Sequence, residues 1–156
     1  KAQLVCDQVH HLGIECHVTQ DIQECIKACD LISVATLSAT PLINGDWLRP
    51  GQHLDLVGAY RPDMREADDN CLLASRVFVD NRDTASKETG DLAIPLAQGV
   101  ITQSHIEADL FDLCRKNFAC NRQTEDITLF KSVGHALEDL AAAQLLVTQL
   151  EQRSCP

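Results

Sequence analysis

The chain alternates helical and strand-like hydrophobic patterns over its first half. Leu4, Val5, Val9 and Leu12 recur at helical spacing over 1–12, and Gly13 is placed to end that helix as a C′ residue. Ile14-Glu15-Cys16-His17-Val18 alternates apolar and polar positions, which predicts a short strand. Asp21 can cap a helix over 22–29 that places Ile22, Cys25, Ile26 and Cys29 on one face. The run Leu31-Ile32-Ser33-Val34-Ala35-Thr36 then predicts a strand buried on both faces, as in a parallel sheet. A loop over 38–51 carries Pro41, Gly45, Pro50 and Gly51. A strand over 53–58, a loop over 61–64, a helix over 65–73 and a strand over 76–80 follow. Helices are expected over 82–89, 104–114 and 132–150.

This order predicts an α/β fold, a doubly wound sheet with right-handed crossovers. In such sheets a ligand sits beyond the carboxyl ends of the strands. That places the candidate lip at Thr36-Leu37-Ser38, Val57-Gly58-Ala59-Tyr60 and Asp80-Asn81. The usual phosphate signatures are missing, since neither GxGxxG nor GxxxxGK[ST] occurs. Periodicity alone therefore supports part of an α/β ligand-binding domain.

Composition narrows the partners. The 156 residues are 45% hydrophobic and 23% charged, a globular balance with the length of one domain. A net charge of −10 argues against nucleic acid and against an anionic membrane surface. No apolar run approaches the roughly 20 residues of a membrane-spanning helix. The polar opening Lys1-Ala-Gln-Leu-Val-Cys6-Asp is no signal peptide, so a cytoplasmic location is expected. The chain starts at Lys1 without an initiator Met and runs straight into a helical pattern, which reads as a sequence entered in its middle. Eight cysteines, at 6, 16, 25, 29, 71, 114, 120 and 155, include no CxxC pair. They are expected as free thiols, and no metal site is expected from them or from the scattered histidines.

Two stretches carry more than topology. They are PLINGDWLRPGQHLDLVGAYRPDMRE over 41–66 and DITLFKSVGHALEDLAAA over 126–143. Both resemble the ornithine cyclodeaminase/mu-crystallin family, as do Val79-Asp80 and Gly90-Asp91-Leu92 between them. The resemblance covers 30–143 and is weaker before that. It implies a subunit in which a Rossmann dinucleotide-binding domain is flanked by a second domain. That second domain, built from the N-terminal half and a returning C-terminal helix, supplies the substrate site and the dimer contact. This chain resembles the C-terminal half. Residues 1–131 correspond to a partial Rossmann domain without its first strands and glycine-rich loop, and 132–156 to the returning helix. The strands so missing would lie between those at 14–18 and 31–36, which leaves two inner sheet edges open. The 156 residues alone are then not expected to form a stable domain.

The resemblance also assigns residues. It places Thr36, Leu37 and Ser38 beside NAD or NADP, with the backbone of Leu54, Asp55, Leu56 and Val57 in a similar role on the next strand. Gly58 lets the chain turn close to the cofactor. Lys131 and Ser132, before the last helix, are likewise placed at the cofactor; Ser132 is a natural N-cap and the family uses the equivalent serine beside the cofactor. Cyclodeaminases proper carry an Asp at the position of Tyr60 and a Lys near that of Met64. Their absence here points to an oxidoreductase that reduces Δ1-pyrroline-2-carboxylate or Δ1-piperideine-2-carboxylate to proline or pipecolate. An ornithine cyclodeaminase that recycles NAD, and a non-enzymatic mu-crystallin-like binding protein, are the alternatives. Tyr60 is the candidate catalytic group, lining the pocket or giving a proton. Arg61, Asp63, Arg65 and Glu66 form a charged loop in which pairing within the loop is expected, and Trp47 is expected to pack on the sheet. The last helix aligns Ala136, Leu140, Ala143, Val147 and Leu150, a face suited to inter-domain or homodimer packing.

Overall fold

A computed structural model describes residues 1–115 and 118–154. Cys155 therefore lies outside the described residues. Five strands form one parallel sheet: β1 (Leu31–Val34), β2 (His53–Leu56), β3 (Arg76–Val79), β4 (Ile106–Asp109) and β5 (Thr128–Lys131). Their spatial order is β1-β2-β5-β3-β4, so the last strand inserts at the centre. The helices are α1 (Ala2–Val9), α2 (Ile22–Ala28), α3 (Asp69–Ala74), α4 (Arg82–Glu88), α5 (Gly90–Ala97), α6 (Leu110–Cys114) and α7 (Ala136–Ser154). The α/β alternation and the all-parallel sheet are those expected of a doubly wound domain.

Register divides the sheet into rows. Ile32, Leu54, Leu129 and Val77 stand opposite one another, as do Val34, Leu56, Lys131 and Val79. These two rows face Ile26 of α2, Leu72 of α3, Ala85 of α4 and Leu92 of α5, and together they make the core. Trp47 packs against this core as expected. The other face is different. The rows Leu31, His53, Thr128, Arg76 and Ser33, Asp55, Phe130, Phe78 lie there. Leu31 is 73% exposed, and only Phe78 and Thr128 of these residues are buried. The strand at 31–36 is thus buried on one face and not on both, since Leu31 and Ser33 on the second face stay exposed.

Other expectations are corrected in the same way. Residues 14–18 form no strand; they stay exposed and no described strand pairs with them. Residues 65–68 are not helical. Leu42 and Ile43 amides donate to the Glu66 carbonyl, and Asp68 then caps α3 by accepting from the Cys71 amide at 3.0 Å. The segment 104–114 opens in the 3₁₀ turn Gln103–His105 and continues as strand β4, since pairing with β3 overrides its helical spacing, and only 110–114 is α-helical. Strand β5 and helix α5, which carries Pro95 inside it, form where the hydrophobic pattern predicts no element. Local signals fared better. Gly13 adopts φ 72° after the short 3₁₀ turn His10–Leu12, and Asp21 accepts from the Glu24 amide to cap α2.

α7 begins at Ala136 and not at 132, so Ser132 does not cap it. The side chains of α7 from Ala136 to Arg153 are exposed, including Leu140 and Val147 of the expected apolar face.

Candidate functional site

All five strands end on the same edge of the sheet, and the connections that leave them define the site. β1 continues into Ala35–Ser38, β2 into Val57–Tyr60, β5 into Ser132–Gly134 and β3 into Asp80. The ladder reaches one step past the strands: the Val57 amide donates to Val34 at 2.9 Å and the Ser132 amide to Leu56 at 3.0 Å. Beyond that point the backbone of these loops has lost its neighbours. Side-chain carboxylates take over.

Glu66 holds the β1 and β2 ends. Its Oε1 accepts from the Thr36 amide at 2.5 Å and the Thr36 hydroxyl at 2.9 Å. Its Oε2 accepts from the Gly58 amide at 2.8 Å and the Ala59 amide at 3.1 Å. Asp80 holds the β5 and β3 ends. Its Oδ2 accepts from the Ser132 hydroxyl at 3.1 Å and the Val133 and Gly134 amides at 2.7 and 2.8 Å. Its Oδ1 accepts from the Asn81 amide at 2.7 Å. Both acids are buried. Gly58 is required by this closeness: a Cβ there would stand 2.0 Å from the Thr36 carbonyl oxygen and 2.4 Å from Glu66 Oε1. Gly90 serves the other side of the same loop, where a Cβ would stand 2.4 Å from the Met64 carbonyl oxygen.

The expected site residues sort into two groups. Thr36, Leu37, Ser38, Val57, Gly58, Tyr60 and Ser132 stand at or beside the open edge, with Leu37 70% and Tyr60 51% exposed. Leu54 and Leu56 do not reach it. Their side chains are fully buried in the core and their backbones pair with β1 and β5, so no atom is free for a ligand. Asp55 lies on the uncovered face and accepts from the Ser33 hydroxyl at 2.9 Å. Lys131 points inward and is fully buried, with its Nζ 3.2 Å from Asp91 Oδ2 and 3.7 Å from Glu66 Oε2. Its ammonium is thus committed to carboxylates and not to a phosphate.

In the charged loop, Arg61 pairs with Asp63 as expected, at 2.7 Å, and Arg65 pairs with Asp69 at 2.7 Å. Glu66 departs from the expected pairing within the loop. It belongs to the interior, and nothing in a single Arg-Glu-Ala-Asp run separates a buried acid from a solvated one. Near Asp80 an apolar cleft of about 280 Å³ opens between α6 and the start of α7, lined by Phe111, Cys114, His135 and Ala141. Among the described residues no cluster of three or more His, Cys, Asp or Glu is placed to hold a metal ion. The seven described cysteines are free. No described helix is long and apolar enough to cross a membrane.

A family profile described as ornithine cyclodeaminase/mu-crystallin matches residues 1–154. The chain belongs to this family. Among its relatives, the Δ1-pyrroline-2-carboxylate reductase of Paracoccus denitrificans is 42% identical over 137 residues, which is 86% of this chain and 43% of that protein. The ketimine reductase mu-crystallin of Mus musculus is 36% identical over 129 residues, 83% of this chain and 38% of that protein. A solved structure of Thermococcus litoralis Δ1-pyrroline-2-carboxylate reductase in complex with NADH and L-proline superposes with a TM-score of 0.90 at 33% identity. That match covers 97% of this chain and 47% of the solved one. The chain therefore spans less than half the length of these family members.

Proposed function

We propose that the protein is an NAD(P)H-dependent reductase of cyclic imino acids, which converts Δ1-pyrroline-2-carboxylate or Δ1-piperideine-2-carboxylate to proline or pipecolate. The observation that carries this reading is the open β1/β2 edge, Thr36 to Ser38 against Val57 to Tyr60, in a fold that superposes on an NADH- and proline-bound reductase with a TM-score of 0.90.

The residues present fit one end of a dinucleotide. Leu37 and Val57 offer exposed apolar surface at the sheet edge, suited to a nicotinamide ring, and the Thr36 and Ser38 hydroxyls flank it. They do not supply a pyrophosphate cradle, because Lys131 is buried in ion pairs and no glycine-rich turn occurs. When bound, the cofactor supplies a hydride to the imine carbon. The protein's part is to hold the ring, exclude water with Leu37 and Val57, and deliver a proton to the imine nitrogen. Tyr60, next to Ala59 on the edge, is the proposed proton donor. We expect Tyr60→Phe to lower kcat about 100-fold while leaving NADH affinity unchanged, as read by single-turnover rates and fluorescence titration.

A cyclodeaminase reading is not favoured. Tyr60 is a half-exposed phenol and Met64 is buried, so neither position offers the carboxylate or amine that the deaminating members use. α7 is proposed to pack its Leu140 and Val147 side against the substrate-binding part of the protein or a second copy, as part of a homodimer. The test uses the complete protein that carries this chain, given NADH or NADPH with pyrroline-2-carboxylate, and follows loss of reduced-cofactor absorbance. Ornithine is supplied in parallel and ammonia is measured. Ammonia release without imine reduction would overturn the reading, and tight cofactor binding with neither turnover would favour a binding protein.

A further inference from the structure

The core rows of the sheet contain one charge. Lys131 stands opposite Leu56 and Val79 in an otherwise apolar row, and it is fully buried. Its Nζ lies between Asp91 of the first turn of α5, at 3.2 Å, and Glu66, at 3.7 Å. Two carboxylates and one ammonium thus share a site from which water is shut out, an arrangement that is costly unless geometry and hydrogen bonds compensate. Compensation reaches Glu66 and Asp91 Oδ1 mostly from backbone amides, whereas Lys131 Nζ and Asp91 Oδ2 are ion-paired without a hydrogen bond. Asp91 Oδ1 accepts from the Glu66 and Ala67 amides at 2.8 and 3.2 Å, which fixes the segment that carries Glu66. Glu66 in turn accepts from Thr36, Gly58 and Ala59, the residues at which β1 and β2 leave the sheet.

We propose that Glu66 is a positioning residue: its carboxylate sets the backbone of Thr36, Gly58 and Ala59 for the cofactor, and Lys131 and Asp91 fix that carboxylate. This rests on the reductase reading above. Past Val34 and Leu56 the two loops have no strand ladder, so Glu66 stands where the next pair of backbone acceptors would be. The contact has no slack, since a Cβ on Gly58 would meet Thr36 backbone atoms at 2.0 and 2.1 Å. Tyr60 follows directly, so its direction is set by the same anchor.

Glu66→Gln tests this in the complete protein. An amide keeps one acceptor oxygen and turns an NH₂ toward N–H donors, which must push one loop away. kcat/KM for NADH is expected to fall on the order of 100-fold, the cost of roughly 1 Å of misplacement, with the KM for NADH raised and kcat lowered as well because Tyr60 moves with the same loop. Amide hydrogen exchange at Thr36, Gly58 and Ala59 should accelerate together. Lys131→Met, which spares all four hydrogen bonds to Glu66 but removes the cation, should raise the same KM by less. A lower melting temperature with unchanged KM for NADH in both variants would overturn the proposal, because that is what a purely structural acid would show. Should neither variant fold, exchange in the unaltered protein decides: Thr36, Gly58 and Ala59 amides must be protected like that of Val57, and free exchange there overturns it. Absence of imine reduction by the unaltered protein would count against the reductase reading alone and leave the exchange result standing.

Discussion

The two faces of the sheet are made by the same five strands and by opposite chemistry. One face presents Ile32, Val34, Leu54, Leu56, Val77, Val79 and Leu129, all buried beneath helices. The other mixes Leu31, Phe78 and Phe130 with polar residues that bond one another: Ser33 with Asp55, His53 with Thr128 at 2.7 Å, and Arg76 with Glu107 and with Asp126 just before β5. Parallel sheets are ordinarily covered on both faces. The covered face therefore draws its cohesion from area removed from water, whereas the open face adds to the buried Phe78 a set of pairwise bonds that water can compete for. Where the two meet, at the carboxyl edge, carboxylates replace both devices.

The sharpest test of this asymmetry is Leu54→Ala against Leu31→Ala, residues on neighbouring strands that face opposite ways. Leu54 is fully buried, and its truncation should cost about 3–5 kcal/mol in urea unfolding of the intact protein. Equal losses from the two variants would show that the open face is covered as tightly as the other. Asp80→Ala probes the edge itself. It strands the Val133, Gly134 and Asn81 amides and the Ser132 hydroxyl, so a loss of about 2–3 kcal/mol is expected by the same measurement. Leu31→Ala should stay within about 0.5 kcal/mol, the range of surface changes.

Much of this was legible in the residues. The three strands β1 to β3 announce themselves as short apolar or alternating runs, and the switch-point rule selects Thr36 and Gly58 without any knowledge of packing. β4 and β5 were not legible. Ile106-Glu-Ala-Asp runs directly into Leu110 and Leu113 with helical spacing, so only pairing with β3 decides its state. Glu66, Asp91 and Lys131 escaped for a different reason. Burial of a charge depends on partners far apart in the chain, so Glu66 reads locally as part of a charged loop and Lys131 as a cofactor contact. Ile14 to Val18 shows the converse, an alternating pattern that stays unpaired because a strand without a neighbour has no ladder to join.

The smallest effect belongs to His53, and its sign is set by the open face. Partial burial holds the imidazole below its ordinary value of 6.5; Asp55 opposes that shift and Arg122 adds to it. The unfolded chain therefore takes up the proton first as pH falls. Stability that is fully present above the unfolded value is lost as pH drops through the folded one. Asp126, whose carboxyl is held low by the Gln123 amide and Arg76, also loses its contribution on acidification, but only below its ordinary 3.8. A urea series from about pH 7 to about pH 5 thus isolates the histidine. In that window His53→Gln should remove part of the slope of stability against pH. The difference between the two proteins should move against the unaltered one as pH falls. A difference that stays constant with pH would mean that His53 is as well solvated in the folded protein as in the unfolded chain, and that the open face is fully wet at its centre.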